Sequence, residues 1–256
     1  MTPSNTGFSR CRPCLGTYLH VTLNHPWTES SSLVFDEALR LERIFNIYDE
    51  QSSLSKLNKE GRSAEMAPEL SQVLHLAMEL FSTSQGAFTP FAADDKTQAK
   101  PNYDLNGIAK GFIVDQLSQF LVNLQLSGVV NAGGDLKFFG AAKRQTNVRL
   151  GPCHEPVFRS LSSPFDAVAT SSFAARALND SSRTHYPLPL AQHVLESSGC
   201  DFTAVCVAKT CAIADAMTKI AMFGSKTLIK TLCEKYEAMV MIFDSGARLQ
   251  EAFGPQ

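Results

Sequence analysis

An α+β fold is predicted for this 256-residue chain from three observations. Helical and strand periodicities occur in irregular order, which favours mixed β-sheets packed with helices over a doubly wound parallel sheet. The composition, 44% hydrophobic and 19% charged, is that of an ordinary globular protein and not of a disordered one. No repeat and no linker divides the chain, so one domain is expected over residues 14–256, after an N-terminal extension at 1–13.

The elements follow in order. TYLHVTL (17–23) places Leu19, Val21 and Leu23 at period two, the mark of a strand. Serines 30–32 can cap a helix whose apolar residues Leu33, Phe35, Ala38, Leu41, Ile44 and Phe45 keep helical spacing. NIYDEQSSLSKLN (46–58) is polar and serine-rich and reads as an ordered loop punctuated by Tyr48, Leu54 and Leu57. Pro68 opens a second helix with Leu70, Val73, Leu74, Ala77, Leu80 and Phe81 as its stripe and Gly86 ending it. Residues 86–102 read as loop.

YDLNGIAKGFIVDQLSQFLVNL (103–124) joins a glycine-bearing turn to a helix with Ile108, Phe112, Leu117, Phe120, Leu121 and Leu124 on its inner side. GVVNAGGDLKFFG (128–140) is a strand, a Gly-Gly-Asp turn and a second strand. NVRLG and FTAVCVAK are short strands, and DAVATSS is an apolar run ending in hydroxyls. CAIADAMTKIAMFG and KTLIKTLCEKY are helices, and AMVMIFDSGARLQ closes with a strand and turn. Residues 172–200 are polar and proline-bearing, and no element is assigned to them.

Several function classes are excluded early. With 23 basic and 25 acidic residues evenly mixed, the chain lacks the electrostatic footprint of a nucleic-acid partner. It has neither a signal-peptide apolar stretch nor an uninterrupted run of about 18 apolar residues, so no membrane insertion and a cytoplasmic location are expected. Seven cysteines without a secretion signal argue against a disulfide framework, and Cys206 and Cys233 sit in apolar runs as small buried hydrophobes. Cys11 and Cys14 form a Cys-x-x-Cys, but no second Cys or His pair completes a zinc site and no βαβ context suits a redox pair. A G-x-S-x-G elbow is absent, which leaves a serine hydrolase unsupported.

Three segments carry possible chemistry. In YDLNGIAKG the glycines and a helix start could approach a phosphate with Lys110 adding charge, or the segment is a capped helix with a surface lysine. In NAGGD, Gly133 and Gly134 suit either a tight hairpin or close contact with a planar ligand. ADAMTK sets Asp215 and Lys219 one helical turn apart beside Thr218, the spacing of an ordinary surface pair.

Taken together and in order, LGTYLHVTL, IYDEQSSLSKLN, QGAFTPF, DLNGIAKGFIVD, VNAGGDLKFFG, AVATSS and ADAMTKIAMFG resemble the successive motifs of the ApbE family, the FAD:protein FMN transferases. The resemblance runs from Leu15 to about Asp244. It implies an enzyme that binds FAD with a divalent metal such as Mg²⁺, splits the pyrophosphate, releases AMP and attaches FMN to a threonine or serine of an acceptor flavoprotein. By that resemblance, Leu15, Tyr48, Ala87, Phe88, Thr89, Asp104, Lys110, Gly133 and Gly134 are expected at the cofactor. Asp215, Thr218 and the Gly107 carbonyl are expected at the metal, and His185 as catalytic base. Cys14 would then lie at the mouth of the pocket and Cys11 on the surface.

The departures from the family pattern are specific. The family helix reads Asp-Ala-x-x-Thr, whereas here Lys219 stands at the threonine position and the hydroxyl moves to Thr218. An ammonium there repels a cation. Either Lys219 pairs with Asp215 and takes over part of the metal's charge, or it points away and Thr218 substitutes. THYPLPLAQH (184–193) keeps the histidine of the family's His-(Ile/Val)-Ile-Asp-Pro-x-Thr-Gly but loses the rest. The link from Phe91 to Tyr103 is shorter than in the family and predicts a more open pocket. Two alternatives therefore stand beside transfer: a flavin-binding protein without transfer, serving as carrier or redox partner, and an FAD hydrolase giving FMN and AMP.

Overall fold

In the computed structural model the described residues are 7–61, 66–92, 102–150, 157–173 and 202–254. Strand β1 (Phe8–Cys14) forms a hairpin with β2 (Thr17–Leu23), the strand expected from its alternation. Leu15 and Gly16 make the two-residue turn at φ 58° and 67°, the paired positive values that match the twist of a hairpin. Most of β1 thus lies upstream of the boundary set at residue 14.

Thr28 caps the short helix α1 (Glu29–Ser32), accepting from the Ser31 N–H at 3.1 Å while Ser31 Oγ accepts from the Thr28 N–H at 2.8 Å. Helix α2 (Val34–Phe45) ends where its stripe ends and buries Val34, Phe35, Ala38, Leu41, Ile44 and Phe45. The ordered loop expected at 46–58 gives way at Ser53 to a third helix, α3 (Ser53–Glu60). Ser52 starts it by accepting from the Ser55 N–H at 3.0 Å, and Leu54 and Leu57 turn inward three residues apart. Helix α4 (Pro68–Thr83) begins on its proline, and α5 (Ala109–Asn123) follows the Gly107 turn.

The later elements are β3 (Gly128–Ala132), β4 (Asp135–Phe139), β5 (Gln145–Leu150), β6 (Val157–Ser162), β7 (Ala167–Phe173) and β8 (Phe202–Ala208). After them come α6 (Cys211–Phe223), α7 (Lys226–Tyr236), β9 (Met239–Asp244) and a strand not expected, β10 (Leu249–Phe253). Eight strands form one sheet in the order β1-β2-β3-β4-β7-β8-β9-β10, with β5 and β6 paired apart from it. The α+β class holds, and the mixed sheet expected from sequence resolves into antiparallel pairs throughout the described residues.

Alternation along the strands feeds two cores. Ala167, Ala169, Ala204 and Cys206 face the helical layer, whereas Val168, Val205 and Val207 pack with Val148 and Leu150 on the opposite face. Helices α5 and α6 lie close because residue 111 has no side chain: a Cβ there would sit 2.4 Å from the Cys211 carbonyl oxygen. The Asp115 carboxylate accepts from the N–H groups of Cys211 and Ala212, each at 2.9 Å, and from Lys137 Nζ at 2.6 Å. It thereby ties α5, β4 and the positive end of α6 together. Among the described residues no helix is long and apolar enough to cross a membrane.

Candidate functional site

The Gly107 turn, the start of α5, the β3–β4 turn and the middle of α6 converge on four charges. Asp215 projects from α6 with no solvent exposure, and Asp135 at the start of β4 is equally enclosed. A buried carboxylate is costly unless paired. Each has a lysine: Lys219 Nζ bonds Asp215 Oδ1, and Lys110 Nζ bonds Asp135 Oδ2. Both lysine side chains keep some exposure, 18% for Lys219 and 27% for Lys110, where the carboxylates have at most 1%. The pair expected at a helix surface is therefore a buried one.

The surrounding groups fix this arrangement. The Gly111 N–H donates to Asp215 Oδ2 at 3.2 Å. Thr218 donates its hydroxyl hydrogen to the Asp215 carbonyl at 2.7 Å and stands 2.7 Å from Ser171 Oγ, which also accepts from Lys219 Nζ at 3.2 Å. Burial and the neighbouring Asp215 charge push the Asp135 carboxyl up to about 6 despite Lys110. Burial works against the Lys110 charge, but Asp215 and Asp135 together outweigh it and hold the ammonium above its ordinary value. The asymmetry is physical, since the lysine faces two acids while the acid is enclosed and faces a like charge. Asp135 Oδ1 is the one fully buried side-chain oxygen among the described residues without a hydrogen-bond partner.

Beside the charges lies a cavity of about 430 Å³. Leu15, Phe45, Ile47 and Ile113 give it an apolar lining, joined by Tyr48, which is 82% exposed, and by the charged Lys110 and Glu42. An apolar lining that includes a cation suits a ring system joined to a phosphate. Leu15 is held in place by its own N–H, which donates to Glu42 Oε1 at 2.8 Å, and Cys14 Sγ lies 3.5 Å from Glu42 Oε2. Burial, with the Glu42 carboxylate adding to it, pushes the Cys14 thiol up to about 12, so it is no thiolate for redox or metal chemistry. Cys11 is exposed, with Sγ 3.4 Å from His20 Nε2.

The structure places Leu15, Tyr48 and Lys110 in this one cavity. Ala87 and Phe88 are buried, and Phe88 lies against the Gly107 turn, where a Cβ at 107 would meet Phe88 Cε2 at 3.2 Å and Lys219 Cγ at 4.0 Å. Thr89 Oγ1 accepts from the Phe91 N–H at 3.3 Å, and Asp104 Oδ1 from the Asn106 N–H at 3.0 Å. Gly133 and Gly134 form the β3–β4 turn at φ 62° and 103°, close against the hydroxyls of Thr17 and Thr170. His185 lies outside the described residues. Sequence reasoning missed Asp135, Ser171 and Glu42; the first two were signalled by the aspartate after Gly-Gly and by the hydroxyls ending AVATSS.

A divalent metal does not fit these residues as they stand. The Asp215 oxygen that would ligate it holds the Lys219 ammonium, whose charge a cation would meet directly. No three His, Cys, Asp or Glu side chains gather to hold a metal ion among the described residues.

Comparison with known proteins adds the following. The model of the ApbE family matches residues 15–94 and 94–243. A curated FAD:protein FMN transferase of Chlamydia muridarum (strain MoPn / Nigg) is 30% identical over 146 residues, 56% of this chain. The matched stretch is 46% of that relative, about half its length. The crystal structure of the ApbE protein from Thermotoga maritima superposes with a TM-score of 0.72 at 18% identity, covering 96% of this chain and 97% of the other. The flavin transferase ApbE from Vibrio cholerae gives a TM-score of 0.69 at 16% identity, covering 96% of each chain. At such identities these two likenesses concern the fold.

Proposed function

The chain belongs to the ApbE family, and from that premise we propose that it takes FAD as substrate and transfers FMN to a hydroxyl of an acceptor flavoprotein, releasing AMP. The observation that carries this reading is the apolar cavity of Leu15, Phe45, Ile47 and Ile113 that Lys110 also lines, Lys110 being paired with the buried Asp135. The curated relative, itself an FAD:protein FMN transferase, supports it.

In this reading Leu15 and Tyr48 flank the ring system, with Ala87, Phe88 and Thr89 behind the Gly107 turn and Asp104 shaping that turn. Lys110 and Lys219 face the pyrophosphate, and the Gly133-Gly134 backbone lets the nucleotide approach. The acceptor oxygen attacks the FMN phosphorus, the bond from that phosphorus to the bridging oxygen breaks, and AMP leaves with that oxygen. The hydroxyl proton passes to a base, the role proposed for His185. The residues lower the barrier by holding the reactants in line and balancing charge, with no covalent enzyme intermediate. The Mg²⁺ implied by the resemblance has no part in the proposal, because Lys219 occupies its ligand. A cytoplasmic location belongs to this reading.

Incubation with FAD and a candidate acceptor is expected to give an acceptor heavier by one FMN, read by mass spectrometry, together with one AMP per adduct. FMN and AMP without adduct would identify a hydrolase, and FAD retained intact would identify a binder. Either result, with the same acceptor labelled by another family member, overturns transfer.

A further inference from the structure

We propose that Lys219 is the built-in cation of the pyrophosphate site, so that this protein binds FAD without a divalent metal. The inference rests on the FAD reading above, and deepens it.

The hydrogen-bond directions around Lys219 can be assigned. Thr218 spends its only hydroxyl hydrogen on the Asp215 carbonyl, so in the 2.7 Å contact between Thr218 and Ser171 the serine must donate. With its hydrogen committed, Ser171 Oγ accepts from Lys219 Nζ. The chain therefore runs one way, from ammonium to Ser171 to Thr218 to the helix carbonyl. Lys219 uses one N–H on Ser171 and one on Asp215, and an ammonium has three. The third is left for an incoming anion, on a side chain that retains exposure while Asp215 has none.

A metal ion would have to undo this. It would take Asp215 Oδ1 from Lys219 and leave an ammonium beside a like charge. The ammonium meets no such obstacle. Its stem passes the Gly107 turn and its position is fixed from two elements, α6 through Asp215 and β7 through Ser171. Lys110 stands over the neighbouring acid, so the two lysines present positive charge where phosphate oxygens would lie. Each ammonium has a buried carboxylate as partner before ligand binds, which allows such a site to stay folded when empty.

The test is FAD binding by flavin fluorescence, in EDTA and then in excess Mg²⁺, with Mn²⁺ binding followed by electron paramagnetic resonance. The wild-type protein is expected to bind FAD with affinities within about twofold in the two conditions and to take up no stoichiometric Mn²⁺. Lys219→Thr is expected to lose about tenfold or more in EDTA, the scale of a hydrogen bond to a charged group, and to regain affinity with Mg²⁺. Lys219→Arg keeps the charge and is expected to stay metal-independent. Should Lys219→Thr fail to fold, the wild-type titrations decide alone. Wild-type binding that needs Mg²⁺, or one bound Mn²⁺ per chain, overturns the inference and leaves the FAD reading standing. No FAD binding by the wild type in either condition overturns that reading, and this inference with it.

Discussion

The backbone N–H of Leu15 donates to Glu42 Oε1 at 2.8 Å, so helix α2 holds the tip of the first hairpin and with it one wall of the cavity. Glu42→Ala is expected to cost about 1–3 kcal/mol, as for an N–H left without its charged acceptor. Urea unfolding checks the stability, and flavin titration is expected to show weaker FAD binding. Glu42→Gln keeps an acceptor and is expected to recover most of the stability. It also removes a negative charge that raises the Cys14 thiol, so thiol titration by ultraviolet absorbance is expected to give a lower Cys14 pKa.

Leu15 itself sits at φ 58°, a conformation a branched side chain adopts only under constraint. Leu15→Gly relieves strain of about 1 kcal/mol and adds freedom to the unfolded chain, so net stability is expected to change by less than about 1 kcal/mol. FAD affinity is expected to fall because an apolar wall is gone. Denaturation and titration on one preparation separate the two effects, and unchanged affinity would remove Leu15 from the site.

Asp135 gives a pH signature. Its carboxyl is raised from 3.8 to about 6 by burial and by Asp215, so the folded state holds the proton more tightly than the unfolded state. The stabilisation from that proton is complete below about pH 4 and is lost as pH rises through about 6. Wild-type stability relative to Asp135→Asn, which cannot ionise, is expected to decline over that window. Parallel urea unfolding between pH 4 and 7 measures the difference, and a flat difference contradicts the assignment.

Gly111→Ala would place a Cβ 2.4 Å from the Cys211 oxygen and 2.9 Å from the Ala212 Cα, both backbone atoms that cannot swing aside. The expected cost is about 1–3 kcal/mol, as for overpacking elsewhere. FAD affinity is expected to drop further than stability, since α5 carries Lys110 and α6 carries Asp215 and Lys219. Unchanged stability and unchanged affinity would mean that the helices can move apart without cost.

Periodicity carried most of the elements. Helix α2, helix α4 and the strand at 17–23 were legible because one face alone is buried in each. Helix α3 was not, because Ser52 and its neighbours look like loop residues until one of them is seen to accept from the Ser55 N–H. The Asp215–Lys219 spacing looked like a surface pair because spacing says nothing of depth. The flanking Ile213, Ala214, Ala216, Met217 and Ile220 did signal burial, since a helix apolar on all sides lies inside a protein. Asp135 read as a turn residue, and only the sheet register, which opens β4 on it opposite Ala132, brings it under Lys110. The Lys219 substitution was visible in the sequence; the direction of its hydrogen bonds was not.

The Asp115 clamp has a kinetic consequence. It joins α5 to the start of α6 across 96 residues, and Gly111 meets Asp215 across 104. Contacts of such sequence separation form only after a long loop has closed, and proteins rich in them fold slowly. In the proposed reading, the Asp215–Lys219 part of the site is missing until α6 has docked. Ligand binding during refolding should then lag behind the appearance of helix, and a flavin signal would time the last step of assembly.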